Sequence, residues 1–203
     1  MAKRTPRRGV RERQELAAEA ARIIATEGQR SYLLAKHKAA ERLGASTREG
    51  LPSNREIETA LRQWQKLYGG DDFEDRLREL REAATRAMRF LKPFRPKLVG
   101  PVLEGTADEF SRICLHLFVD DPDAVVRFLM EHGIPFDQER RRVRWHDGSR
   151  RHIDVLVVQA DGELVELAVM VGREAWQALP SPIDGRPLRR GSLQDVEGLL
   201  AEG

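Results

Sequence analysis

The hydrophobic period changes once along this chain, and that change limits the fold more than any other feature. Up to Leu91 the apolar residues recur at helical spacing. Pro93 and Pro96 then bracket a break, and beyond it apolar residues gather in short runs of strand length. Such a chain is expected to be α+β: a four-helix region at 11–91, preceded by a basic flexible tail at 1–10, and a small mixed-sheet α/β domain at 92–203.

Within the first part, Leu16, Ala20, Ile23 and Ile24 share one face of a helix over 11–27, and Gly28 stops it. A second helix is expected from Ser31 to Leu43, with Gly44 behind it. The third opens at Ser53-Asn54-Arg55-Glu56, a Ser-x-x-Glu capping box in which each side chain satisfies the other's backbone N–H. Ile57, Ala60, Leu61, Trp64, Leu67 and Tyr68 follow at the i, i+3, i+4, i+7 positions of an amphipathic helix, and Gly69-Gly70 ends it. The fourth, over 72–91, repeats the pattern with Phe73, Leu77, Leu80, Ala84, Ala87, Met88 and Leu91.

Past the break, 98–103 reads as a strand running into Glu104-Gly105-Thr106, and 113–118 as the next. Asp121-Pro122-Asp123 opens a helix whose buried face is Ala124, Val125, Phe128 and Leu129. Further strands are expected at 142–146, 152–158 and 163–170. Asp161-Gly162 marks a tight hairpin between the last two. Ser192 and Asp195 form a second capping box, which starts a C-terminal helix. The segment 179–190, with three arginines, reads as an ordered loop.

Composition narrows the functional classes. No apolar run approaches the roughly 20 residues that span a bilayer, so no membrane partner is expected. The basic N-terminus leads into an amphipathic helix rather than a signal peptide's apolar stretch. A single cysteine, Cys114, leaves no internal disulfide and no multi-thiolate zinc site, and it fits a reducing, cytoplasmic setting. His37, His132, His146 and His152 show no metal-ligand spacing. The net charge is only +2, but the positive residues are clustered. Six Lys/Arg fall in 1–14, five in 86–97 and six in 139–152, all available to phosphates or to solvent.

Strand, Gly-Thr turn, strand, helix and hairpin, in that order over about residues 97–170, resemble the nucleotidyltransferase superfamily, in particular its minimal, polymerase-β-like members. Gly105-Thr106 matches the Gly-Ser or Gly-Gly turn of that family, and Ser111-Arg112-Ile113-Cys114-Leu115 stands where Ser-Asp-Ile-Asp-Leu is expected. Arg112 and Cys114 thus occupy the two carboxylate positions, or Cys114 and His116 in a register shifted by two. Asp154 matches the third carboxylate. The resemblance implies two-metal phosphoryl transfer, with carboxylates on alternate strand positions reaching one Mg²⁺ pair and turn amides reaching the phosphates.

Hard cations need anionic oxygen ligands, which Arg112 and Cys114 do not supply. The resemblance therefore implies a degenerate module that binds a nucleotide or phosphate-rich ligand in a regulatory, RNA-linked role, with Gly105, Thr106, Arg112 and His116 as the ligand-binding set. Asp154 is then the one catalytic candidate. An active Mg²⁺-dependent nucleotidyltransferase is the alternative, with carboxylates drawn from Asp108, Asp120, Asp121 and Asp154. A third reading is a nucleic-acid or protein adaptor acting through the helical half and the basic runs. Each residue also has an ordinary role open to it: Cys114 as a small core side chain, Asp121 as a helix cap, Asp154 as a paired carboxylate, and His116 as a half-buried imidazole.

Overall fold

The structure is a computed structural model and describes residues 6–45, 50–145 and 147–202. The first five residues of the expected tail and His146, at the end of the strand expected over 142–146, lie outside them. The chain divides into two compact units. One takes the described residues up to Glu74 together with Pro182–Asp184; the other takes Asp75–Ser181 and the described residues from Gly185 onward.

The first unit is helical. It comprises α1 (Pro6–Glu27), α2 (Tyr32–Leu43), α3 (Asn54–Tyr68) and the first turn of α4 (Gly70–Phe90). Helix α1 already begins at Pro6, inside the stretch expected as tail. Its core is built largely from alanines: Ala17, Ala20, Ala21 and Ala25 of α1 meet Ala35, Ala39 and Ala40 of α2, with Leu16, Ile23, Ile57 and Leu61 filling between them. Small side chains let helix axes approach closely. The capping box at Ser53 forms, with the Ser53 hydroxyl accepting from the Glu56 N–H and the Glu56 carboxylate from the Ser53 N–H. Leu67 and Tyr68, expected on the buried face of α3, are exposed in its last turn. Only Gly69 separates α3 from α4, and glycine is needed there, since a Cβ would lie 2.5 Å from the Gln65 carbonyl oxygen and 2.8 Å from Cβ of Phe73.

The second unit is mixed α/β, with a five-stranded mixed sheet in the order β1-β2-β5-β4-β3. The strands are β1 (Lys97–Val99), β2 (Ile113–Val119), β3 (Phe136–Arg144), β4 (Arg150–Ala160) and β5 (Glu163–Val171). Strands β2 and β5 are parallel and every other pairing is antiparallel. The strand expected over 98–103 stops at Val99. Gly100 takes a positive φ of 76°, Pro101 sits at the helical first turn, and residues Pro101–Glu104 form the short helix α5. Asp161 and Gly162 both have positive φ, as the two-residue turn of the β4–β5 hairpin requires. Helix α6 (Ala124–Glu131) follows β2, and α7 (Leu193–Ala201) opens at the Ser192–Asp195 capping box.

One face of the sheet is dry. Ile113, Leu115, Leu117 and Val119 of β2, Val165, Leu167 and Val169 of β5, and Leu156 and Val158 of β4 share a single apolar cluster. Leu80, Ala84 and Met88 of α4, Val125 and Leu129 of α6, and Val196 of α7 complete it. The helical period read at 72–91 therefore serves the sheet: α4 buries its apolar stripe in this core. Among the described residues, no helix is long and apolar enough to cross a membrane.

Candidate functional site

The other face of the sheet carries the chemistry. Alternation along β2 places Cys114, His116 and Phe118 on it, with Arg112 one step before the strand, so the two registers considered from sequence belong to one row of side chains. Pairing sets Val99 and Glu166 on either side of Cys114, and Lys97 and Ala168 on either side of His116.

Glu166, only 2% exposed, is the centre of the site. Its Oε1 accepts from Arg112 Nη1 at 3.1 Å and its Oε2 from Arg141 Nη1 at 2.7 Å. Cys114 Sγ lies 3.6 Å from Oε2 and 3.6 Å from the Arg112 carbonyl oxygen. Arg141 also donates to Glu139 across 3.2 Å. A carboxylate this deep is tolerated only when charge-assisted hydrogen bonds replace its water. The two arginine side chains are less enclosed, 29% and 41% exposed, and so reach solvent. With Glu139 on Arg141, the two guanidiniums meet two carboxylates, and the buried Glu166 fixes the spacing of its arginines.

Beside this cluster His116 is buried. Burial, and then the nearby Arg190 guanidinium, push its pKa down to about 4, so the imidazole is neutral at neutral pH. Its Nδ1 has no hydrogen-bond partner among the described residues. Arg190 donates to the carbonyls of Ala175, Trp176 and Gln177 and lies 4.9 Å over the Phe118 ring. Trp176 stacks on the same ring at 4.6 Å.

The other residues singled out from sequence fall elsewhere. Gly105 is the left-handed cap of α5, and the N–H groups of both Gly105 and Thr106 donate to the Pro101 carbonyl. Thr106 is buried. The turn's two amides thus close the turn itself. Asp154 stands on β4 opposite Val169, on the helix-covered side, and pairs with Arg140 at 3.6 Å. It is Glu166, on the strand between, that reaches Cys114. Asp121 accepts from the Asp123 N–H and from Arg127, whose guanidinium holds its carboxyl below the usual range. Asp120 is exposed. Asp108 closes the 108–111 loop by accepting from the Phe110 N–H and the Ser111 hydroxyl, and burial raises its pKa.

These residues do not fit an Mg²⁺ pair. Both Glu166 oxygens already accept from guanidiniums, Arg112 brings positive charge to the same place, and Cys114 is a soft ligand. Among the described residues, no group of three or more His, Cys, Asp or Glu is arranged to hold a metal ion.

Sequence reasoning missed Glu166 and Arg141. The available signal was Val165-Glu166-Leu167, a lone acid inside an apolar run of an interior strand. Comparison with known proteins yields no match: no family model, no curated protein and no solved structure is significantly similar to this chain.

Proposed function

We propose that the α/β unit is a nucleotidyltransferase-like module that binds a nucleotide or another phosphate-rich ligand without transferring it, and so acts in regulation. The observation that carries this reading is the pair of solvent-reaching arginines, Arg112 and Arg141, fixed by a buried Glu166. Planar guanidiniums recognise phosphate oxygens in pairs, and a pair held in position before binding loses less side-chain freedom when the ligand arrives. At the strand position where the resemblance expects a metal-binding carboxylate, Arg112 supplies positive charge directly.

The test is a thermal-shift and calorimetric panel of ATP, GTP and pyrophosphate, with and without Mg²⁺, on the full chain. Binding that raises the melting temperature without Mg²⁺ is expected. Arg141→Gln should weaken it by about 10- to 100-fold, the range of a lost charge-assisted hydrogen bond. No shift with any of the three ligands, or Mg²⁺-dependent transfer of a nucleotidyl group, would sink the reading.

A further inference from the structure

Strands β3 and β4 run on past the sheet. β5 pairs with β4 only from Asp154 to Ala160, whereas β3 pairs with β4 as far as Arg144↔Arg150. Residues 141–153 therefore end in a two-stranded ribbon closed by the turn after Trp145. Its two faces differ. On one, Val143 and Ile153 pack against the cluster of Phe118, Trp145 and Met170, and Arg151 lies 4.8 Å over the Trp145 ring. This face anchors the ribbon. On the other, Arg140, Arg142 and Arg144 of β3 stand opposite Asp154, His152 and Arg150 of β4, and the arginines and His152 are exposed.

Arg144 directly faces Arg150, a like-charge pair that weakens a sheet, and the one acid on this face already faces Arg140. Alternate residues on a strand repeat about every 7 Å, so the face is a short comb of guanidiniums. The chemistry suits a polyanion. Apart from the His152 imidazole the basic face carries no aromatic ring on which unpaired bases would stack, and it has no apolar side chain to enter a bilayer. A two-stranded ribbon fits the roughly 12 Å major groove of B-form DNA, whereas the major groove of A-form RNA is too narrow for side chains to read.

We propose that this ribbon docks on the phosphate backbone of double-stranded DNA through Arg140, Arg142, Arg144 and Arg150, without sequence preference. The proposal does not rest on the nucleotide-binding reading. The test measures anisotropy of labelled 20-base-pair DNA against the full chain across a salt series. The same series is run with duplex RNA, single-stranded DNA and phosphatidylserine vesicles. Four phosphate contacts predict a slope of about −3 to −4 in log affinity against log salt. The triple variant Arg142→Gln, Arg144→Gln, Arg150→Gln should flatten that slope by about 3 and weaken binding by ~100-fold or more in 50 mM salt.

A charge-matched control, Arg86→Gln, Arg89→Gln, Arg127→Gln, removes arginines paired to Asp161, Glu197 and Asp121 and should bind as wild type does. Relief of the Arg144–Arg150 repulsion should leave the ribbon variant melting no lower than wild type. Any of four results overturns the proposal: no binding of duplex DNA by wild type; binding of RNA duplex, single strand or vesicles at least as tight; equal loss in the control; or lost binding together with a lower melting temperature.

Discussion

Ile113, Leu115, Leu117 and Val119 point to one side of β2 and Arg112, Cys114, His116 and Phe118 to the other, and the two sides are buried by different means. On the helix-covered side, apolar area is removed from water and any close-packed neighbour serves. On the other side a carboxylate and an imidazole are buried. The carboxylate depends on particular partners at fixed distances, and the imidazole is accommodated by staying uncharged. The first kind of burial sets stability, and the second restricts which groups can stand there. A face that carries an ionic cluster beside a smaller apolar one is the natural place to seek a ligand.

Four variants test that contrast. The largest effect is expected from Leu115→Ala, which leaves a cavity in the fully buried cluster and should cost about 3 kcal/mol in urea unfolding. Glu166→Ala comes next, at about 2 kcal/mol. Breaking a fully buried ion pair costs about 3–5 kcal/mol, and the partial exposure of both arginines screens part of that. A Glu166→Ala protein as stable as wild type would mean that the cluster leaves no buried charge behind, and the contrast between the faces would fail.

The third concerns pH. The folded pKa of His116 lies at about 4, below its ordinary 6.5, so the unfolded chain takes up the proton first as pH falls. Its contribution to stability is complete above pH 6.5, declines through that value and is fully lost below pH 4. Between pH 7 and 5 the loss should be on the order of 2 kcal/mol. His116→Leu should remove that part of the pH dependence in melts recorded from pH 7 to 5. An unchanged slope would show an imidazole that charges freely in the folded state. The smallest stability effect is expected from the triple variant Arg112→Met, Glu166→Met, Arg141→Met. Replacing a whole ionic cluster by apolar residues is often neutral or stabilising. It should match or exceed wild type in urea while losing pyrophosphate binding, which separates holding the sheet from holding a ligand.

How far the sequence foretold this depends on the range of each signal. The Ser53 capping box, the Asp161-Gly162 hairpin and the alternation of β2 are local patterns, complete within a few residues. Residues 98–103 look like a strand because five of the six are apolar or glycine, yet Gly100 and Pro101 favour a turn into helix, and backbone geometry decides. Strand β3 lacks apolar alternation because both its faces are charged over 137–142, so its full length shows only through its pairing with β4. Glu166 is the hardest case. In an isolated strand a lone acid reads as a solvent-facing residue, and the arginines that make it a core residue come from elsewhere in the chain.

The same sheet order has a consequence for the time course of folding. β3, β4 and β5 form a meander of neighbouring hairpins, and the Arg141–Glu166 bond within it spans 25 residues. The Arg112–Glu166 bond spans 54, because β2 must find β5 in parallel across the intervening chain. Longer closures cost more entropy and form later on the folding path. The expected order is meander first and β2 last, so that the second guanidinium arrives only when the sheet is complete. Mutational φ-values near zero at Leu115 and well above zero at Val157 would record that order, and the reverse pattern would refute it. On this route the paired guanidiniums first exist in the finished domain, and a partly folded chain lacks them.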